Sequence, residues 1–164
     1  MNTLIRILGI AAIAGGIVRI ADSFVTGVLP PGTLEVLYFL TDVLLLLGTA
    51  GIYWSRRTKT GIAGTIGFGV FVIGILLVRA SAFGVLGANG YQLAAAIALL
   101  GLVILSVETL LRRAGAYLSA AFWLVSLTLG AAAAAGIMPG VLTALAGVAF
   151  GLGFIAAGAG VLAG

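Results

Sequence analysis

Six apolar stretches of about 20 residues, separated by short breaks, limit what this chain can fold into. As helices rising about 1.5 Å per residue, each is long enough to cross about 30 Å of hydrocarbon. Lipid offers no partners for backbone N–H and C=O groups, so a spanning segment is either a helix or part of a closed barrel. Barrel strands alternate apolar and polar residues; the stretches here are continuously apolar, and helices follow. The expected spans are Leu4–Val28, Leu34–Trp54, Gly61–Phe83, Tyr91–Leu111, Ala116–Gly136 and Pro139–Leu162. A soluble fold is excluded by lack of polar surface: 7% of the 164 residues are charged, against about 25% in a soluble domain. The expectation is an all-α integral membrane protein, one transmembrane domain over residues 1–164 with six transmembrane helices and membrane lipid as its surroundings.

The breaks are of two kinds. Arg56, Arg57 and Lys59 fill one, Arg112 and Arg113 another, and Arg6 precedes the first span. The breaks at 27–32, 84–90 and 136–140 carry no charge. Taken alternately, every basic break falls on one side, which the positive-inside rule makes cytoplasmic; both termini are then expected inside, in a prokaryotic inner membrane. The same rule accounts for the net charge of +4, so nucleic acid is not an expected partner. The first apolar run follows a charge as a signal peptide would. It also carries Arg19 and precedes five more spans, and is read as an uncleaved first helix.

The three uncharged turns share a pattern: Gly27-Val28-Leu29-Pro30, Gly84-Val85-Leu86-Gly87 and Gly136-Ile137-Met138-Pro139. Glycine, a β-branched residue and a long apolar residue recur at about the spacing of a helical hairpin. Arginine precedes the first two turns, at Arg19 and Arg79. Three tandem hairpins are expected, at about 1–59, 60–114 and 115–164. With Pro31-Gly32 and Pro139-Gly140 inside its turns, this pattern resembles the HdeD-type short-repeat membrane proteins. The middle turn lacks the proline, and buried charge in the first hairpin is not a feature of that family's pattern. The resemblance implies an inner-membrane protein linked to acid stress, without established enzymatic chemistry.

Several chemistries lack their residues. Without cysteine there is no thiolate or disulfide, and without histidine the commonest metal ligand and acid–base catalyst is missing. No cofactor or metal is expected. The single lysine, Lys59, lies in a break, which excludes a Schiff base inside the bundle. Glycines 64 to 69 fall within a span and read as packing, not as a phosphate loop. Asp22 and Asp42 form a formal aspartate pair, but no glycine-rich opening lies beside Asp42, and a nearby arginine favours an ion pair over hydrolysis. No catalytic residue is assigned.

Charge inside the spans is the sharpest signal. A charged side chain at the bilayer centre costs about 2.5–3.5 kcal/mol on insertion scales, so such residues are paired or line a path. Arg19 lies about 12 Å below the uncharged turn and Asp42 about 15 Å; Asp22 and Arg79 lie about 7–8 Å below it. Arg19 and Asp22 share a helix face, while Glu35, Tyr38, Asp42 and Thr49 make a polar stripe on the next helix. Facing stripes would bring Arg19 against Asp42, with Arg79 joining Asp22 or Glu35. The cluster Arg19, Asp22, Glu35, Tyr38, Asp42 and Arg79 is the candidate site, either as a structural network or as a path for protons, ions or a polar solute. Glu108 stands four residues before Arg112, an orientation that favours a structural pair near the basic end.

In the last span Gly140, Ala144, Gly147, Gly151 and Gly158 fall on one face. Small residues let membrane helices approach closely, within one chain, in a homo-oligomer or against a partner subunit. Two functional classes remain. The first is a structural, accessory or stress-response membrane protein whose charges specify assembly. The alternative is a small channel or transporter using Arg19, Asp42 and Arg79.

Overall fold

The computed structural model describes residues 2–25, 28–82, 84, 90–111 and 117–164. Six α-helices make up nearly all of it: α1 (Thr3–Val25), α2 (Pro31–Arg56), α3 (Ile62–Ala82), α4 (Gly90–Leu111), α5 (Tyr117–Ala134) and α6 (Pro139–Ala163). A short 3-10 turn over Arg57–Lys59 follows α2. All six are long and apolar enough to cross a membrane, consistent with an integral membrane protein. Among the described residues there is no strand.

Local chemistry sets the boundaries. Pro31 opens α2 and Pro139 opens α6, where the missing N–H would have had no intrahelical acceptor and the fixed φ suits the first turn. Helix α5 ends at Ala134, just before Gly136, whose φ of 85° disfavours any side chain. The Gly136 N–H bonds the Ala133 carbonyl at 3.0 Å and the Ile137 N–H the Ala132 carbonyl at 3.1 Å. These crossed bonds are a Schellman cap, which satisfies carbonyls the helix end would leave open.

Neighbouring helices run antiparallel and close into a ring. Helix α1 meets α2 where Ala12 faces Gly48 and Leu8 faces Gly51; α3 meets α4 where Gly74 faces Ala98. Helix α5 meets α6 through Trp123 at Gly153 and a bond from Ser126 Oγ to the Ala146 carbonyl, 2.9 Å. The first and last helices close the ring over glycine. A methyl group built on Gly16 would stand 2.5 Å from the Gly151 carbonyl oxygen, and one on Gly151 2.5 Å from that of Gly16. Only the absence of Cβ on both sides allows this approach. The seams α2–α3 and α4–α5 are much thinner, so α3 and α4 form a pair loosely set against the other four helices.

One half of the ring is filled. Phe154, fully buried, lies 5.3 Å centroid to centroid from Trp123, 5.9 Å from Phe71 and 5.2 Å from Phe150. Leu45, Ile52, Leu102, Ala157 and Val161 complete this core. Toward the basic break, Tyr53 stacks on Phe68 at 4.6 Å and its hydroxyl hydrogen-bonds with that of Thr65, 3.1 Å. The other half of the ring, on the side of the uncharged turns, is open inside.

Candidate functional site

That open half is a cavity of about 460 Å³. All six helices line it: Arg19 of α1, Asp42 and Leu45 of α2, Ile75 and Val78 of α3, and longer runs of α4, α5 and α6. Alanine, glycine and leucine of α4 and α5 make much of its wall, where small side chains leave these two helices apart. Tyr91, Gln92 and Thr143 add polar groups toward the turns. Phe150 lines the cavity and packs on Phe154, so the aromatic core is its floor.

The charges group differently from the pairing expected from helical spacing. Asp42 Oδ2 accepts a charge-assisted hydrogen bond from Arg79 Nε. Arg79, from the last turn of α3, therefore holds the acid for which Arg19 was the expected partner. The physical reason is reach: Arg79 starts nearer the turns, and its long side chain spans the difference in depth to Asp42. Its guanidinium carbon also lies 6.0 Å from the centre of the Phe39 ring, within cation–π range. The pair crosses the thin α2–α3 seam.

Arg19 turns instead toward α6, where Gly147 carries no side chain; a methyl there would stand 3.2 Å from Arg19 Nη2. Among the described residues Arg19 forms no ion pair or side-chain hydrogen bond, and it lines the cavity. Asp22 is buried behind it and accepts a bond from Thr41 Oγ1 at 2.8 Å. The single Thr41 hydroxyl proton is shared with the Leu37 carbonyl, 2.9 Å away. The spans thus bring together Arg19, Asp22, Asp42 and Arg79, two bases and two acids. Glu35 is exposed near the start of α2, outside this group, and Tyr38 is half-buried.

Glu108 has a role that spacing did not reveal. Its Oε1 accepts from the Gly61 N–H at 3.0 Å, just before α3, where backbone donors lack intrahelical acceptors. Arg112, its expected partner, lies outside the described residues, as do 85–89 of the middle turn. On α6, Gly147, Gly151 and Gly158 all face α1, Ala144 is half-buried, and Gly140 is exposed with nothing near its missing Cβ. That face is therefore consumed within the chain over three of its five positions.

Sequence reasoning missed Thr41, Gln92, Thr143 and Phe150. Thr41 adjoins Asp42 and so points to another face, toward α1. Gln92 and Thr143 were legible as rare polar residues in the turn-side ends of α4 and α6. Phe150 as a floor was not legible, because nothing in the pattern distinguishes it from core. Comparisons with models of protein families, with curated proteins and with solved structures find no match to this chain.

Proposed function

We propose that this chain is a non-enzymatic membrane protein that takes a small solute into the turn-side cavity, as a small channel or transporter. The observation that carries this reading is the cavity of about 460 Å³ with Arg19 and Asp42 in its lining. Its volume is within the roughly 300–1,000 Å³ of small-molecule sites, and a structural network alone needs no such space. The floor of Phe150 and Phe154 separates it from the basic end, as in one state of an alternating-access cycle. The loosely seated α3–α4 pair is the moving part in this reading, and Asp42–Arg79 is the latch across its seam.

The membrane setting follows the same logic: three tandem hairpins in a prokaryotic inner membrane, with the basic breaks and both termini cytoplasmic. Against hydrolysis, Asp22 and Asp42 each engage a different partner, Thr41 and Arg79. Against assembly through the α6 glycine face, that face already holds α1.

The accessory or stress-response reading is favoured by one observation, the ion pair itself, which fixes how α2 and α3 dock. Flux decides between the two. In proteoliposomes under a pH gradient, the transport reading expects Asp42→Asn to change proton or solute flux several-fold while the protein stays folded. Equal flux through wild type, variant and protein-free vesicles leaves the accessory reading.

A further inference from the structure

Arginine carries five N–H donors and no acceptor. In a low-dielectric setting donors left without acceptors are costly, and Arg19 has no bonded partner among the described residues. Both nearby acids are engaged: Asp42 holds Arg79, and Asp22 accepts from Thr41. Asp22 attracts Arg19 through space, but it does not line the cavity and does not occupy the guanidinium. What the cavity offers a solute is therefore one cation with open donors at the inner end, beside an Asp42 carboxylate already held by Arg79. Beyond it runs an apolar wall that includes Ala95, Leu99, Leu127 and Ala131.

The geometry points to an organic monoanion as the ligand: one carboxylate on a medium-sized apolar body. The carboxylate sits on Arg19, whose planar fork matches two oxygens at once. The body lies between α4 and α5 above Phe150, in a volume that would bury most of a molecule of this size. This assignment rests on the solute-binding reading and narrows it, since a simple inorganic ion would leave the apolar wall unused. An acidic lipid headgroup offers similar charge, but a lipid with two acyl chains exceeds a cavity of about 460 Å³.

The test is equilibrium binding of radiolabelled decanoate to the purified full chain in a neutral detergent, with decanol and phosphatidylglycerol as competitors. Wild type should bind decanoate saturably, one per chain. Arg19→Gln should weaken binding tenfold or more, and Arg19→Lys should restore part of it. Gly130→Leu fills the cavity from a position with open space around its missing Cβ, and should weaken binding to a similar degree with Arg19 intact. Decanol should compete poorly.

Unchanged decanoate binding in folded Arg19→Gln overturns the assignment, as does decanol competing as well as decanoate. Saturable binding of phosphatidylglycerol without decanoate also overturns it. If Arg19→Gln does not fold, unchanged binding in Gly130→Leu overturns it instead. Decanoate binding without flux in vesicles supports the site and removes the transport reading. Proton or ion flux without decanoate binding removes the site and leaves transport.

Discussion

The Asp42–Arg79 pair can be weighed by taking its partners away one at a time and then together. Deleting one member of a buried pair costs about 3–5 kcal/mol, because the other charge stays behind unpaired. Here the Arg79 side chain is 25% exposed and that of Asp42 13%. Water relieves part of that penalty, and Arg79→Gln is expected to cost about 1.5–3 kcal/mol. The coupling energy, from Arg79→Gln and Asp42→Asn alone and combined, is the cleaner quantity. Polar contacts between membrane helices average about 0.6 kcal/mol and reach about 1.7. A direct charge-assisted bond across a thin seam belongs at the upper end, about 1–2 kcal/mol.

Arg19 supplies the control. It acts on Asp42 through space without a bond, so its cycle with Asp42 should give about 0.5 kcal/mol or less. Reversible unfolding in mixed micelles, titrated with a denaturing detergent and followed by circular dichroism, reads both cycles. Coupling of Asp42 to Arg19 equal to or larger than its coupling to Arg79 refutes the assignment of partners.

Three further outcomes follow from particular contacts, each read by the same unfolding titration. Gly151→Val drives a side chain into the Gly16 carbonyl and should destabilise by about 1–3 kcal/mol; Gly140→Val, with open space around it, should stay within about 0.5 kcal/mol. Thr41→Val removes the donor to Asp22 at nearly constant shape and should cost about 1–3 kcal/mol, since a buried acid loses its bond. Glu108→Ala uncovers the Gly61 N–H and should cost about 1 kcal/mol, with exchange of that amide speeding up relative to the interior of α3.

Six helices were legible because their signal is length and polarity alone, and both survive any detail of packing. Boundaries were nearly as clear: Pro139 opens α6 at the expected residue, and α2 begins at Pro31, three residues before the expected Leu34. The depth ladder also held much of the site, since it put Arg19, Asp22, Asp42 and Arg79 in the same half. Partner choice was not legible. Helical periodicity says which residues share a face, but not how each helix is rotated against two neighbours at once. Arg19 turned toward α6 because Gly147 makes room there, a contact across most of the chain. Glu35 stays outside the group for a related reason: it shares the stripe with Asp42, yet sits too near the helix start to be covered. The cavity left no sequence signal, because alanines and glycines that line a space read the same as those that close one.

The seam between Gly16 and Gly151 also has a meaning in time. About 135 residues separate the two glycines, and synthesis proceeds at about 5–20 residues per second, so α6 arrives roughly 7–30 seconds after α1. For that interval the small-residue face of α1 and the guanidinium of Arg19 stand before lipid with no helix to cover them. Of these six helices, α1 is made before the others and finished with the last of them. A substitution on α1 that is harmless in the closed ring can still fail during those seconds, and its signature is lowered yield of a protein whose purified stability is unchanged.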